Sequence, residues 1–583
     1  MEASLSRLQQ TLDGELYWQD AVRTVYATDA SAYREIPLAV AHPKTDEDIR
    51  RLILFANEHK ITLIPRAAGT SLAGQVVGSG LVVDVSKHMT QVLEINAAER
   101  WVRVQPGVIR DDLNKILAPH GLFFGPETST ANRAMIGGMV GNNSCGLHSI
   151  VWGTTRDHLQ AVKGFLSDGS EAVFGTDAPS PPPGSLARRI TDGMQQMLAD
   201  AENQRLIREN FPKRSVTRRN TGYALDSLLP AAQARPETPV SVAPKGPGVG
   251  LLIAGSEGTL MLLTEIKLSL LPLPPKEAAV VCVHTQGIGE ALQTNLIAMQ
   301  RHRPMASELV DKYILDFTKG HPEYDKNRFF IQGDPAAILM VEFMADTPEV
   351  VQTQVLALVA DLRQAGFGYA FPAIFGESTK QVWDVRKAGL GLIRNLPGDT
   401  QPVNLIEDCA VDVADLPDYI AELEELLKSK GLRYSMYAHA GAGELHVEPM
   451  INLKTAEGNA LFREILAETA ALVKKYNGSL SGEHGDGRLR GEFIPFMMGE
   501  GVYGLFRQVK NLFDPNGVFN AGKIVDTPPM NTSLRYTPGQ KTTLPETVFD
   551  FSGQENILRL TEKCSGSGDC RKTHLSGGTM CPS

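Results

Sequence analysis

The stretch "PRAAGTSLAGQ", Pro65–Gln75, follows the short β-branched run "ITLIPR" and combines glycines with serine and threonine hydroxyls. Glycine lets backbone amides approach an anion closely, and hydroxyl groups add hydrogen-bond donors. Two later stretches share this character, "GGMVGNNSCG" at Gly137–Gly146 and "IAGSEGTL" at Ile253–Leu260. A single loop of this kind is equally typical of a tight turn, but three favour a cofactor with a diphosphate. The chain has neither a G-x-G-x-x-G after a first strand nor a G-x-x-x-x-G-K-[ST], so a dinucleotide Rossmann unit or a P-loop is not supported.

The composition of the 583-residue chain is that of a globular protein of two or three domains, with 42% hydrophobic and 21% charged residues. Its net charge of −10 argues against nucleic acid as the main partner, because phosphate binding needs a basic face. The N-terminus "MEASLSRLQQTLDG" lacks the pattern of a signal peptide. No apolar run reaches the roughly 18 residues of a membrane-spanning helix. These features predict a soluble, cytoplasmic protein.

Helical and strand patterns alternate along the first third of the chain, which predicts an α+β fold. Thr45 and Asp48 have the spacing of a capping box at a helix start, and Gly121 is placed to end another helix. The proline-rich stretch "LLPLPPKEAAV" predicts a domain boundary near Pro272–Lys276. Amphipathic helices follow it, one of them ending at Asn477 and Gly478.

Two histidines and a glutamate form a candidate metal site. "YAHAGAGELHVEP" holds His439 and His446, and "SGEHGDGR" holds Glu483 beside His484. Two imidazoles and a carboxylate suit a borderline divalent ion such as zinc, with positions left open for a substrate. The glycines between the histidines disfavour a helix and allow a turn that brings both rings together. The alternative is two hydrogen-bonded histidines near a turn and a solvated glutamate.

The cysteines fall into two groups. Three are scattered and are predicted to be reduced, structural thiols: Cys145, Cys282 and Cys409. Three crowd into the last twenty residues: Cys564, Cys570 and Cys581. In a cytosolic chain such a cluster indicates a metal more than disulfides. Three thiolates are one short of a four-cysteine [4Fe–4S] site, so zinc or an incidental cluster is the alternative.

Several motifs in chain order resemble the FAD-linked oxidases of the vanillyl-alcohol-oxidase superfamily, and within it the D-2-hydroxyglutarate and D-lactate dehydrogenases. They are "PRAAGTSLAGQ", "GPETSTANRAMIGGMVGNNSCG", "WGTTRDHL", "GSEGTL", "HAGAGELH", "SGEHGDG" and the closing "NAGK". The tail "CSGSGDCRKTHLSGGTMCPS" resembles the start of the iron–sulfur half of long FAD/Fe–S fusion members. The resemblance implies a truncated fusion protein whose complete 4Fe–4S cluster belongs to a longer form.

The resemblance implies a domain order. It consists of an N-terminal helical segment (1–29), a two-subdomain FAD-binding domain of the PCMH type (30–272), a cap domain with an antiparallel sheet (273–525), and a linker with the start of an iron–sulfur domain (526–583). The implied FAD contacts are Pro65, Arg66, Gly69, Thr70, Ser71, Gly74, Gln75, Pro126, Thr128, Gly138, Asn142, Gly146, Glu257, Gly258, Asn520 and Lys523. Gly69-Thr70 stands where some members carry the histidine that attaches flavin, so the FAD is predicted to be non-covalent.

The implied reaction is the oxidation of a D-2-hydroxy acid, with hydride passing to the flavin. Arg386, at the family's W-x-x-R position, would hold the substrate carboxylate, and His484 would accept the hydroxyl proton or act only as a hydrogen-bond partner of the metal site. Three residues of an "NTGY" segment would shape the pocket: Asn220, Thr221 and Tyr223. Electrons would leave through an iron–sulfur relay to an acceptor that the sequence does not identify. The sequence is compatible with either a monomer or a homo-oligomer.

The substrate's length is in doubt because the sequence departs from the family. Glu444 and Glu448 replace asparagines, and the region "PVNLIEDCAV" lacks the lysine that holds a distal carboxylate in the hydroxyglutarate enzymes. D-2-hydroxyglutarate remains favoured, because Arg218, Arg219 or Arg394 could meet that carboxylate, and D-lactate is a close second. The alternatives are a flavin-dependent oxidase of another alcohol and a non-catalytic electron-transfer flavoprotein subunit.

Overall fold

The computed structural model of the chain describes residues 1–175, 178–229, 248–321, 324–392, 396 and 398–576. Of the sequence-derived predictions, those for Arg394 and Cys581 lie outside the described residues. The helices are α1 (Glu2–Gln9), α2 (Asp20–Val25), α3 (Asp46–His59), α4 (Arg110–Leu117), α5 (Ile136–Asn142), α6 (Ser149–Trp152), α7 (Thr155–His158), α8 (Leu186–Ala199), α9 (Ala201–Asn210), α10 (Ile288–Ile297), α11 (Lys312–Phe317), α12 (Pro348–Ala365), α13 (Thr379–Leu392), α14 (Leu416–Ser429), α15 (Ala456–Lys475), α16 (Gly487–Arg490), α17 (Ile494–Phe513) and α18 (Ile557–Glu562). None of the described helices is long and apolar enough to cross a membrane.

The strands form separate sheets in the two halves of the chain. They are β1 (Glu15–Tyr17), β2 (Ala39–His42), β3 (Leu63–Arg66), β4 (Leu81–Asp84), β5 (Val92–Asn96), β6 (Trp101–Val104), β7 (Leu122–Phe123), β8 (Leu159–Phe165), β9 (Glu171–Gly175), β10 (Leu262–Ser269), β11 (Leu271–Pro272), β12 (Glu277–Thr285), β13 (Ala306–Asp311), β14 (Ala337–Ala345), β15 (Ala373–Phe375), β16 (Gln401–Pro402), β17 (Ile406–Ala410), β18 (Tyr434–His439) and β19 (Glu444–Ile451).

The first half contains a four-stranded sheet in the order β1-β2-β4-β3, a five-stranded sheet β5-β6-β10-β8-β9 and the pair β11-β7. The second half contains an eight-stranded antiparallel sheet in the order β15-β12-β14-β13-β18-β19-β16, with β17 also paired to β19. The mixture of helices with parallel and antiparallel strands confirms the predicted α+β class.

Local sequence signals set several helix ends as predicted. Thr45 and Asp48 form a capping box at α3, each side chain bonded to the other residue's backbone amide. Gly121 follows α4 and a short 3₁₀ turn with φ of +71°, a conformation that glycine adopts without steric cost. α15 ends at Lys475, just before Asn477 and Gly478.

The C-terminal part of the chain returns to the N-terminal sheet. Leu63 of β3 accepts a hydrogen bond from the Asn520 amide at 2.8 Å and donates one to the Val518 carbonyl at 2.7 Å. The tail then packs on the first half, where Arg133 meets Asp569 in an ion pair of 2.8 Å. The return positions residues near 520 beside the first glycine loop.

Candidate functional site

One cavity of about 470 Å³ lies against all three glycine loops and reaches the histidine cluster. Twelve of the predicted FAD contacts line it: Pro65, Arg66, Gly69, Thr70, Ser71, Gln75, Thr128, Gly138, Asn142, Gly146, Glu257 and Gly258. Four do not: Gly74, Pro126, Asn520 and Lys523. The lining also includes every residue of the predicted metal and proton-transfer set, together with Arg386. A cavity of this size suits a cofactor-sized ligand with a small substrate beside it.

The glycines of the first loop are constrained by their backbone conformation. Gly69 and Gly74 have positive φ, 70° and 79°, where most side chains would be strained. A Cβ at Gly74 would also lie 2.7 Å from the Tyr33 ring. Residues 65–72 and Gln75 line the cavity, so an anionic group there can approach the backbone amides of this loop.

Two of the four remaining predicted contacts, Asn520 and Lys523, support the loops from behind. Asn520 donates to the carbonyls of Gln75 at 2.9 Å and Glu257 at 2.7 Å. The Glu257 carboxylate accepts from the Asp486 amide at 2.6 Å, and burial raises its pKa to about 6. Lys523 donates to the Val77 carbonyl, and burial lowers its pKa to about 8. Asn520 and Lys523 therefore lie behind the first loop and support it.

The sheet and one loop bring the three predicted metal ligands together. His439 ends β18 and His446 lies in β19, joined by a turn in which Gly443 has φ of +72°. Glu483 arrives after α15, and its amide donates to Asp408 Oδ1 at 2.7 Å. Glu483 Oε1 lies 3.4 Å from His439 Nε2 and 3.8 Å from His446 Nε2. One oxygen and two nitrogens thus face a common point in a largely buried site.

Hydrogen bonds fix which nitrogen of each ring faces this point. His446 Nδ1 bonds to the Glu407 carbonyl, which can only accept, so Nδ1 carries the proton. His439 Nδ1 lies 2.9 Å from Glu308 Oε1, which favours the same tautomer. Burial, with the nearby charge of His439 adding to it, holds the pKa of His446 well below its usual range. The free Nε2 lone pairs therefore suit a cation, as in metal sites whose histidines are oriented by carboxylates and carbonyls.

His484 lies beside this cluster in a strongly acidic environment. Its Nδ1 is 3.1 Å from Glu407 Oε1, and its Nε2 is 3.3 Å from Glu483 Oε1. Burial alone lowers the pKa of His484, but the charges of Glu407 and Asp408 outweigh it and raise the pKa well above the ordinary value. A cation bound at Glu483 would oppose this effect, because it neutralises one of the carboxylates.

Arg386, on α13, lines the cavity between Glu308 and Tyr437. Its Nη2 lies 2.8 Å from Glu308 Oε2, and its guanidinium lies over the Tyr437 ring at 4.7 Å. Nε is buried and has no acceptor in hydrogen-bond geometry among the described residues. A guanidinium on the cavity wall is suited to a carboxylate ligand. The next residue, Lys387, is exposed and also lines the cavity.

The predicted pocket residues of the "NTGY" segment do not line the cavity. Asn220 donates to the Asn142 carbonyl at 2.6 Å, behind the second glycine loop. The Thr221 hydroxyl lies 3.1 Å from that of Ser479, and the Tyr223 hydroxyl lies 2.7 Å from that of Thr259. These three side chains are buried and join the FAD half to the loops that carry Glu257 and Glu483.

Arg218 is buried and is not available to a substrate. Its guanidinium lies 2.6 Å from Glu444 Oε2 and 3.2 Å from Glu483 Oε2, and it also bonds to Ser149. The carboxylate that the sequence introduces at position 444 is therefore neutralised inside the protein and does not line the cavity. Arg219 pairs with Asp226 at 3.0 Å. The prediction that either arginine meets a distal carboxylate loses its basis.

Sequence reasoning missed Glu308, which contacts both His439 and Arg386. The available signal was a carboxylate inside the apolar strand β13, "ASELVD", where a charge is costly unless it is paired. Glu342 in β14 has the same character. In the tail, Cys564 and Cys570 are free and exposed, and Ser567 lines the cavity.

Comparisons with known proteins agree with this geometry. Residues 37–175 match the FAD binding domain family, and residues 274–524 match the C-terminal domain of FAD linked oxidases. The chain is 34% identical over 98% of its length to a D-2-hydroxyglutarate dehydrogenase of Pseudomonas putida, and 32% identical over 99% to one of Escherichia coli. It spans 56% of the length of each relative. A D-lactate dehydrogenase of Archaeoglobus fulgidus is 25% identical, over 83% of this chain and 91% of that protein.

Solved structures show the same fold. p-Cresol methylhydroxylase has a TM-score of 0.64 at 12% identity, covering 91% of this chain and 97% of that one. The 4-ethylphenol oxidase of Gulosibacter chungangensis has a TM-score of 0.61 at 14% identity, covering 90% and 97%. Fold and cavity define a flavoprotein with an FAD-binding domain. The chain belongs to the FAD-linked oxidases, because it carries both their FAD binding domain and their C-terminal domain.

Proposed function

We propose that the chain is the FAD-dependent catalytic part of a dehydrogenase that oxidises a D-2-hydroxy acid to the 2-oxo acid. The observation that carries the proposal is the meeting of three features on one cavity wall: the glycine loops, the His439–His446–Glu483 cluster and the Arg386 side chain. Relatives named D-2-hydroxyglutarate dehydrogenase at 32–34% identity support it.

The contacts suggest a separate role for the cofactor, the metal ion and each side chain. FAD, bound non-covalently on the three loops, supplies the acceptor for the C2 hydride. A divalent ion, with zinc favoured, would be held by His439, His446 and Glu483 and would supply a Lewis acid for the hydroxyl. Arg386 binds the substrate carboxylate as a fork, and His484 accepts the hydroxyl proton once its own proton has left.

The proposed substrate remains D-2-hydroxyglutarate, with D-lactate second. Arg218 no longer supports a dicarboxylate substrate, because its guanidinium forms an ion pair with Glu444. Lys387 is adjacent to Arg386, lines the same cavity and forms no ion pair that the described part of the chain shows. It replaces Arg218 as the candidate partner of a distal carboxylate.

We further propose the domain division 30–272, 273–525 and 526–583, preceded by the helical segment 1–29. Its support is that β11 ends at Pro272 and β12, of the eight-stranded sheet, begins at Glu277. Cys564 and Cys570, with Cys581, would ligate part of an iron–sulfur cluster completed in a longer form. Electrons would then leave through that cluster.

The test is anaerobic mixing of the purified flavoprotein with both enantiomers of each acid. Bleaching of the flavin spectrum by D-2-hydroxyglutarate, and more slowly by D-lactate, is expected. Bleaching by L-enantiomers alone, or by neither acid, would refute the proposal. Rapid release of peroxide on admitting oxygen would instead identify an oxidase.

A further inference from the structure

A buried histidine outside the metal cluster connects the cavity to the helix that carries Arg386. His148 precedes α6, and its Nδ1 lies 2.6 Å from Glu127 Oε1 while its Nε2 lies 2.5 Å from Glu342 Oε2. Glu127 lines the cavity, and Glu342 lies in β14 of the eight-stranded sheet. The ring also packs on Trp152, with centroids 4.2 Å apart.

The two carboxylate partners favour a proton on each nitrogen of this ring. Each nitrogen has a carboxylate oxygen as its partner, and a neutral imidazole has only one N–H to donate. Burial opposes a charge here, but the two glutamates outweigh it and raise the pKa of His148 to about 10. Burial also opposes ionisation of Glu127, yet His148 and, more weakly, Arg110 and Lys387 lower its pKa to about 2. These contacts and charges therefore favour the imidazolium form at neutral pH.

The contact continues to α13. The second oxygen of Glu342, Oε1, accepts a hydrogen bond from Trp383 Nε1 at 2.9 Å. Trp383 lies one helical turn before Arg386 on α13 and is also buried. The chain of contacts thus runs from the cavity wall at Glu127 through His148 and Glu342 to the helix that presents the guanidinium.

We propose that His148, as an imidazolium held between Glu127 and Glu342, is a positioning residue that ties α13 to the cavity wall and so sets the place of Arg386. The inference rests on the proposed function for the role of Arg386. The clamp itself does not depend on any substrate. Charge-assisted bonds at both nitrogens fix the ring more firmly than neutral ones, and breaking either leaves a buried carboxylate without its partner.

The test uses Glu342→Gln, which keeps the shape of the side chain and removes its charge. His148→Gln removes the bridge, and His302→Gln is the matched control, since His302 pairs with Asp361 on the cap at 3.0 Å without lining the cavity. With FAD bound, the KM for the D-2-hydroxy acid should rise roughly tenfold in both clamp variants, with a smaller change in kcat. His302→Gln should leave both constants unchanged.

The pH profile separates positioning from a general loss of structure. In the native protein the two glutamates raise the pKa of His148 to about 10, so kcat/KM should not fall on this account near neutral pH. In Glu342→Gln only Glu127 supports the charge, so the pKa of His148 falls and kcat/KM should decline as pH rises through it. A profile identical to that of the native protein would overturn the proposal.

A second measurement needs no substrate. Hydrogen exchange of the FAD-loaded protein should become faster across residues 379–392 in Glu342→Gln and His148→Gln, and not in His302→Gln. If no 2-hydroxy acid bleaches the native flavin, the proposed function fails while the exchange still tests the clamp. Unchanged exchange in α13 with an unchanged KM would refute the clamp and leave the proposed function standing. If His148→Gln does not fold, Glu342→Gln alone decides.

Discussion

Replacing Arg386 by alanine tests the proposed substrate contact most directly. The guanidinium is largely buried, lies over the Tyr437 ring and lines the cavity. A substrate carboxylate there would form a desolvated, charge-assisted pair. Losing such a contact costs about 2–5 kcal/mol when the partner group is left buried. At about 1.4 kcal/mol per factor of ten, kcat/KM should fall by roughly 30-fold to several thousandfold.

The contact between Arg386 and Glu308 affects how the fall in kcat/KM of the alanine variant is interpreted. Its Oε2 lies 2.8 Å from Arg386 Nη2, so the alanine variant also leaves a buried carboxylate beside His439. Arg386→Lys is the control, because it keeps the charge near Glu308 and removes only the planar fork. We expect Arg386→Lys to keep the metal and FAD contents of the native protein and still to lose at least about tenfold in kcat/KM.

The assay is anaerobic stopped-flow reduction of the flavin by D-2-hydroxyglutarate, with FAD and metal measured on each sample. The rate at saturating substrate and the concentration for half-saturation separate chemistry from binding. If Arg386→Ala reduces its flavin with near-native efficiency, Arg386 does not bind the carboxylate, and the substrate pose is wrong. If the loss is accompanied by missing metal, the effect belongs to His439 and not to the substrate.

Four further outcomes are expected. Acid or heat should release free FAD from the denatured polypeptide, and flavin that stays attached would contradict non-covalent binding. His446→Ala should lose stoichiometric metal and turnover but keep FAD, as judged by metal analysis and the flavin spectrum; native activity in the presence of chelator would refute the metal's role. Arg218→Met should lower the free energy of unfolding by about 3–5 kcal/mol in chemical denaturation, because it leaves the buried carboxylate of Glu444 without its partner. Adding Glu444→Gln should restore part of this stability. An equal loss in the double variant would refute the coupling. Reconstitution of the 583-residue chain should yield less than one complete four-iron cluster per chain, and four iron and four sulfide would overturn the prediction.

Local sequence determined the elements whose signals are short-range. The capping box of Thr45 and Asp48 acts within a single turn, so it could be read without the rest of the chain. The glycines of the loop at Pro65–Gln75 have a similarly local cause, because a positive φ excludes most side chains. The grouping of His439, His446 and Glu483 also came from the sequence, through glycine spacing and family motifs.

Tertiary structure decided the charge pairing and protonation of buried side chains, which depend on the groups that contact them. The pair Arg218–Arg219 has the pattern of a solvated surface, but Arg218 pairs with Glu444 more than two hundred residues later. Glu308 gains its role from His439 and Arg386, which come from another strand and from α13. The protonation of His148 depends on Glu127 and Glu342, on separate parts of the chain. Burial and charge pairing act through space, and no local pattern encodes the partner. The sequence by itself therefore determined the cofactor loops and the ligand types, while the chain's three-dimensional path decided which charges are neutralised and which face the cavity.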